Sequence, residues 1–394
     1  VKPTPANAKK GKNLEDVLEM NRSLLIRLMR KRGVCSRAEL TQDSGLNQST
    51  ITNIVGELIQ WGLVVETGVI EGKKGRRSIG IKLNCEPYKV VGIRLARTFI
   101  SVALYDLGGQ EYANKQIPIR NSEGPEAAFA KMKALIAETI RSHEDTVKAI
   151  GIATPGPLFR GEGRIALMTA FPGWEKINLQ EELAQQFQLP VCIEHDAKAG
   201  ALAHWWFAEP QRDRGVMVYV AAGQGVGAGI VADGKLFRGA LGMAGEIGHM
   251  SIDYNGPLCE CGHRGCLELY CSTTALLKKL GKEPSALGTV WQELRRREPV
   301  TEEAVRRAAW FLGFGLVSIV NAFDPDRIIL GDELSSAGVL LLETVKAVIR
   351  EQALPDVSSR LTIELASLAS DDMLIGAATT AIDHLLARPS VLLC

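Results

Sequence analysis

The sequence predicts an α/β body of two lobes preceded by a winged helix-turn-helix domain. Three features point there: a front segment of helical periodicities ending in a basic hairpin, a longer segment alternating strands and helices in two sets of similar order, and a compact Cys/His cluster in the second set. At 394 residues the chain exceeds what one hydrophobic core ordinarily supports, so two or three compact units are expected.

The front domain is expected over residues 14–86, after a Pro/Lys/Gly-rich tail at 1–13 read as disordered. Leu14, Val17, Leu18, Leu24, Leu25 and Leu28 recur at helical spacing up to the basic run Arg30-Lys31-Arg32, and Gly33 ends that helix. Ser36 is placed to cap a second helix, with Glu39 at the capping-box position and Ala38 and Leu40 on the inner side. Gly45-Leu46 makes a turn, Asn47 caps the third helix, and Ile51, Ile54, Val55, Leu58 and Ile59 form its apolar stripe. The opposite face carries Gln48, Ser49, Thr52 and Asn53, with Thr50 in the same first turns. Short polar side chains there can reach base edges in a major groove, so these five are candidate DNA contacts.

Two strands at 63–67 and 79–83 flank a loop running from Gly68 to Ser78 and tipped by Lys73, Lys74, Arg76 and Arg77. Such a wing can lie along phosphates or place an arginine in a minor groove, which makes Arg76 and Arg77 candidate DNA contacts too. Charge agrees: residues 1–83 carry +7 and residues 84–394 carry −6, so a polyanion partner is expected for the front only.

In the body, 88–95, 100–105 and 111–117 read as successive strands, 125–143 as a helix and 147–153 as a buried strand ending at Pro155-Gly156. A second set opens at Gly215 with strands at 216–221, 227–232 and 235–237, then helices and a strand at 327–330. Two sheets of similar order around a cleft would explain this echo.

His249, Cys259, Cys261 and Cys266 place four thiolate or imidazole donors within eighteen residues, with Gly262 and Gly265 to turn the chain sharply. That matches the closed ligand set of a structural Zn²⁺ site, one ion per chain, rather than a run of reduced thiols. The other cysteines (Cys35, Cys85, Cys192, Cys271, Cys394) follow no pairing logic and no signal-peptide pattern opens the chain, so a cytoplasmic protein without disulfides is expected. No apolar run approaches the ~18 residues of a membrane span.

Several motifs follow one another through residues 87–394: Pro155-Gly156-Pro157, Phe171-Pro172-Gly173-Trp174, Glu194-His195-Asp196-Ala197, the glycine run Gly223 to Gly229, Gly245-Glu246-Ile247-Gly248-His249, and the cysteine cluster continued by Leu267-Glu268. In these the segment resembles the ROK family (repressors, open reading frames and sugar kinases). Through Asn21-Arg22 and Ser36-Arg37-Ala38-Glu39-Leu40 the front domain resembles the DNA-binding domain of ROK repressors. The resemblance implies an actin-like ATPase fold, with 87–195 plus 375–394 as first lobe and 196–374 as second lobe carrying the zinc site. It also implies a sugar site between them, made of His195, Asp196, Glu246, His249 and Glu268. Asp196 stands where family kinases carry the catalytic base, and His195 replaces their Asn, as in the family's glucose and N-acetylglucosamine repressors. Ala170 stands where a sugar-binding Asn is usual.

The nucleotide side departs from the kinase pattern. Gly92-Ile93-Arg94-Leu95-Ala96-Arg97-Thr98 puts Arg94 where family kinases have an acid that helps hold the metal, and Ala96 and Arg97 where they have glycines. Gln224 replaces a usual threonine, and Gly331-Asp332-Glu333 brings acids near the adenine position. ATP and Mg²⁺ are therefore not expected, although Arg94 and Arg97 could hold another anion such as a phosphorylated sugar. The expected protein is a DNA-binding transcriptional regulator, a repressor, of carbohydrate metabolism. A small carbohydrate or sugar phosphate would control it, and it would bind palindromic operator DNA as a homodimer or homotetramer. The alternatives are an ATP-dependent sugar kinase with an added DNA-binding domain, in which Asp196 is catalytic, and a regulator controlled by a protein partner.

Overall fold

The computed structural model describes residues 13–71, 77–156, 158–159, 163–165, 173–208 and 214–393. The first helix, Leu14–Arg32, starts at a capping box: Asn13 Oδ1 accepts from the Asp16 amide at 2.8 Å and Asp16 Oδ2 from the Asn13 amide at 3.1 Å. Residue 13, read as tail from the sequence, is thus the cap. Leu25, Ile26 and Met29 are fully buried, whereas Leu14, Val17 and Leu24 are exposed. The apolar positions of this helix straddle two faces, and only those in phase with Leu25 turn inward.

The second helix, Arg37–Ser44, begins at the expected Ser36/Glu39 box and ends at Gly45 in the left-handed conformation. Leu40 is buried but Ala38 is exposed, because two residues along a helix lie on nearly opposite faces. Asn47 caps the third helix, Gln48–Gln60, accepting from the Thr50 amide at 2.8 Å. Ile51, Ile54, Val55 and Leu58 are buried and Ile59 half-buried, as a single inward stripe.

Strands β1 (Cys35–Ser36), β2 (Val64–Glu71) and β3 (Arg77–Leu83) make an antiparallel sheet of order β1-β3-β2. A bulge between Glu66 and Gly68 lets β2 continue past the end expected at residue 67, so residues 68–71 are strand rather than loop. The wing tip is correspondingly shorter. Lys73, Lys74 and Arg76 lie outside the described residues, while Arg77 opens β3.

In the body, β4 (Lys89–Leu95), β5 (Phe99–Asp106) and β6 (Glu111–Pro118) form an antiparallel meander. β7 (Val147–Thr154) joins β4 in parallel, β8 (Leu158–Phe159) and β9 (Arg164–Ile165) pair as a small hairpin, and β10 (Val191–His195) joins β7 in parallel. The resulting order is β10-β7-β4-β5-β6. β11 (Val216–Ala222), β12 (Val226–Ala232), β13 (Lys235–Leu236), β14 (Arg327–Gly331) and β15 (Thr362–Leu365) give the order β13-β12-β11-β14-β15. Each sheet is a three-stranded antiparallel meander extended by two parallel strands, so the echo in the sequence is a repeated topology. The strand read at 235–237 is the edge strand β13.

Two helices join the sheets. Asp372–Ala387 lies on β4 and β7, where Gly92 and Gly151 admit its backbone: a Cβ at Gly151 would fall 1.8 Å from the Ala377 carbonyl oxygen. Asp196–Phe207 lies on β11 and β12 and packs along the first of these helices. The front unit is not a bead on a tether. Leu25, Ile26 and Leu58 share one buried cluster with Val90, Tyr105, Trp206 and Leu385 of the body, and Tyr88 Oη donates to the Trp61 carbonyl at 2.6 Å. Among the described residues no helix is long and apolar enough to cross a membrane.

A methyl group at position 151 must push two packed elements apart. Gly151→Ala is expected to lower stability by about 1–3 kcal/mol, read as a reduced denaturant midpoint at unchanged m-value.

Candidate functional site

β10 runs parallel to β7, and its carboxyl end delivers His195 and Asp196 to the space between the sheets, where α/β folds ordinarily place ligands. A cleft of about 300 Å³ opens there, near the lower limit of small-molecule sites.

His195, Asp196 and Glu246 converge across this cleft. His195 Nδ1 lies 3.4 Å from Asp196 Oδ1, and His195 Nε2 lies 3.8 Å from Glu246 Oε1. Among the described residues, His195 Nδ1 and Glu246 Oε1 are both buried without a hydrogen-bond partner. Buried polar atoms are rarely left so, and both residues line the cleft. Glu246 is held at the cleft by the chain before it: Lys198, fully buried, donates from Nζ to the Gly242 carbonyl at 2.7 Å, and Arg238 Nε donates to Glu194 Oε2 at 2.8 Å. Burial lowers the Lys198 pKa, while Glu194, Glu246 and Asp196 favour its charged form.

The structure brings the four predicted metal ligands together. Donor atoms of His249, Cys259, Cys261 and Cys266 all lie within 4.8 Å of one another, a spread that fits a tetrahedral ion. The loop closes on itself: the Cys259 amide donates to the His263 carbonyl at 2.8 Å, and Gly265 has φ of 66° with its backbone against Asp253, which no side chain would tolerate. Burial pushes the Cys266 thiol up to about 11, so loading a metal at neutral pH must displace protons. Glu268 Oε1 sits 3.2 Å from Cys259 Sγ and 3.3 Å from His249 Nδ1 while also lining the cleft, so the cluster and the cleft share a wall.

Arg94 spans the cleft. Its Nη1 donates to Asp371 Oδ2 at 2.5 Å and its Nη2 to Asp332 Oδ1 at 3.1 Å. Burial acts to lower the Arg94 pKa, yet Asp332 and Asp371 together raise it, while burial pushes Asp332 up to about 6 against the pull of Arg94. The Arg94 charge is therefore matched by two carboxylates within the protein. Asp332 likewise faces a cation rather than open space. Glu333 is engaged with Thr273 Oγ1 at 2.5 Å and Gln224 Nε2 at 3.5 Å. Ala170, Phe171, Pro172 and Pro157 lie outside the described residues.

On the front unit, Gln48, Ser49, Thr52, Asn53 and Arg77 are exposed and Thr50 is half-buried. Ser49 Oγ donates to Asn47 Oδ1 at 2.8 Å and Thr52 Oγ1 to the Gln48 carbonyl at 2.9 Å, so these two hydroxyls are partly spent on the helix itself. Sequence reasoning missed Asp371 and Lys198. Asp371 stands 277 residues from Arg94, with no local pattern to link them. Lys198 does have a signal, being the one lysine on a helix rich in alanine and tryptophan.

Comparison with known proteins places this geometry. The ROK family model matches residues 90–384. A xylose repressor from Caldicellulosiruptor bescii is 32% identical, the alignment covering 94% of this chain and 97% of that protein. The crystal structure of a ROK family transcriptional regulator, a homologue of the E. coli Mlc protein, superposes with a TM-score of 0.80 at 27% identity, over 96% of this chain and 98% of that one. A ROK glucokinase from Streptomyces griseus, solved with glucose and AMPPNP, is 25% identical with a TM-score of 0.66, covering 99% of itself but 74% of this chain. From its body, its cleft and its cysteine cluster alike, the chain belongs to the ROK family.

Proposed function

We propose that this protein is a transcriptional repressor of carbohydrate metabolism, binding operator DNA through its winged helix-turn-helix and a neutral monosaccharide in the cleft. The observation that carries this reading is Arg94, ion-paired to Asp332 and Asp371 where a family kinase would place a metal-binding acid. A guanidinium already neutralised by two carboxylates leaves no seat for Mg²⁺ and crowds a nucleotide's phosphates. Full-length similarity to a xylose repressor supports the same reading, as does a glucokinase likeness that covers only 74% of this chain.

The charge of the cleft argues for a neutral sugar over a sugar phosphate. Asp196, Glu246, Glu268, Asp332 and Glu333 outnumber Arg94 and Arg97 among its lining residues, so a phosphate would meet net repulsion. Sugar hydroxyls would donate to the carboxylates of Asp196, Glu246 and Glu268 and to His195. D-xylose is the first candidate, since the repressor from Caldicellulosiruptor bescii is named for it. Zinc, bound by His249, Cys259, Cys261 and Cys266, would supply a structural cross-link with four protein ligands and no open position. That cross-link would hold Glu268 against the cleft. Gln48 and Asn53 would read bases, with Arg76 and Arg77 on phosphates or in a minor groove.

D-xylose at about 100-fold its Kd is expected to raise Tm by about 2–4 °C, and Glu246→Gln to abolish the rise. No shift with any monosaccharide would overturn the ligand class. Purified protein should carry about one zinc per chain by metal analysis, lost in Cys261→Ser; a well-folded, metal-free wild type would refute it. In a coupled assay, ATP-dependent phosphorylation of D-xylose or glucose should stay at background. Turnover abolished by Asp196→Ala would restore the kinase reading.

A further inference from the structure

The helices Asp196–Phe207 and Asp372–Ala387 both begin at the cleft and end at the DNA-binding unit. Asp196 opens the first helix beside His195 and Glu246, and Trp206 near its far end meets Arg30 of the front unit. Asp371 caps the second helix while holding Arg94, and Asp383 near its far end pairs with Arg27 at 3.0 Å. With 12 and 16 residues, they reach about 18 and 24 Å from the ligand site.

The pair has little room to deform. A Cβ at Gly376 would fall 2.2 Å from the Ala199 carbonyl oxygen, and one at Gly229 on β12 would fall 2.3 Å from that of Ala197. Nine of the twelve residues of Asp196–Phe207 are buried, five of them alanine or glycine, which bring the helix close to its neighbours. A displacement at Asp196 therefore moves the helix as a body.

The far-end contacts differ in strength. Arg27 and Asp383 are both substantially exposed, and such pairs contribute little. Arg30 instead lies 3.8 Å from the centre of the Trp206 ring and donates from Nη1 to the Trp206 carbonyl at 3.1 Å. Burial, together with Arg27 nearby, pulls Arg30 down to about 10. A desolvated stacked guanidinium is worth several exposed pairs and holds one orientation.

We infer that the Arg30–Trp206 contact is the joint through which the cleft controls the DNA-binding unit, with the helix Asp196–Phe207 as the rigid link between them. This rests on the sugar-controlled repressor reading above. Sugar bound at Asp196 and Glu246 favours one placement of the helix, and Arg30 converts that placement into an orientation of the Gln48–Gln60 helix.

The test uses full-length protein, D-xylose, and a DNA fragment selected by wild type from a random library. Operator affinity is measured by anisotropy with and without saturating D-xylose, and D-xylose affinity by calorimetry. Wild-type operator affinity is expected to change about tenfold with the sugar, a coupling of ordinary size, and this ratio should fall below about twofold in Arg30→Met and Trp206→Leu. Both variants should still bind DNA and D-xylose, and Arg30→Lys should recover part of the response by keeping a cation over the ring. Should Arg30→Met fail to fold, Trp206→Leu decides alone. Variants that keep the wild-type ratio overturn the joint while leaving the repressor reading intact. A wild type that binds D-xylose yet holds DNA equally well with and without it sinks both.

Discussion

The architecture depends on a seam where backbone meets backbone without side chains between. Gly92 and Gly151 on the first sheet, Gly229 on the second and Gly376 on the Asp372–Ala387 helix each sit where a Cβ would collide with a neighbouring main chain or helix. Close approach of this kind gives dense dispersion contact and leaves no adaptable layer. The helices Asp196–Phe207 and Asp372–Ala387 consequently act as one unit set between two sheets of the same topology, and the cleft lies at the end of that unit.

Electrostatics then selects what the cleft can hold. Removing a guanidinium from water is costly unless carboxylates compensate it, and Arg94 has two. Because Asp332 follows β14 of the second sheet and Asp371 caps a helix lying on the first, the ion triad ties the two halves together across the cleft. Loss of Arg94 would leave both carboxylates without their cation, at a cost of about 3–5 kcal/mol. Opposite it, atoms of His195 and Glu246 are buried with no hydrogen-bond partner among the described residues, in a wall of the cleft.

Parts of this were legible in the residues because their causes are local. Capping at Ser36 and Asn47, the stripe of Ile51, Ile54, Val55 and Leu58, and the Cys/His spacing each depend on neighbours within one or two turns. Errors arose where phase or partners had to be guessed. Ala38 turns away from Leu40, and a bulge at Glu66/Gly68 extends β2 through a stretch whose glycine suggested a loop.

By itself the sequence determined the winged helix-turn-helix, the repeated strand and helix order, the Cys/His cluster and the motifs of the cleft, since periodicity, caps and ligand spacing act over a few residues. Tertiary structure alone decided that Arg94 is neutralised by Asp332 and Asp371, that Glu268 joins the Cys/His cluster to the cleft, and that Arg30 stacks on Trp206. Those contacts join residues as many as 277 positions apart. Their energies come from burial and from partners that only the completed fold brings together.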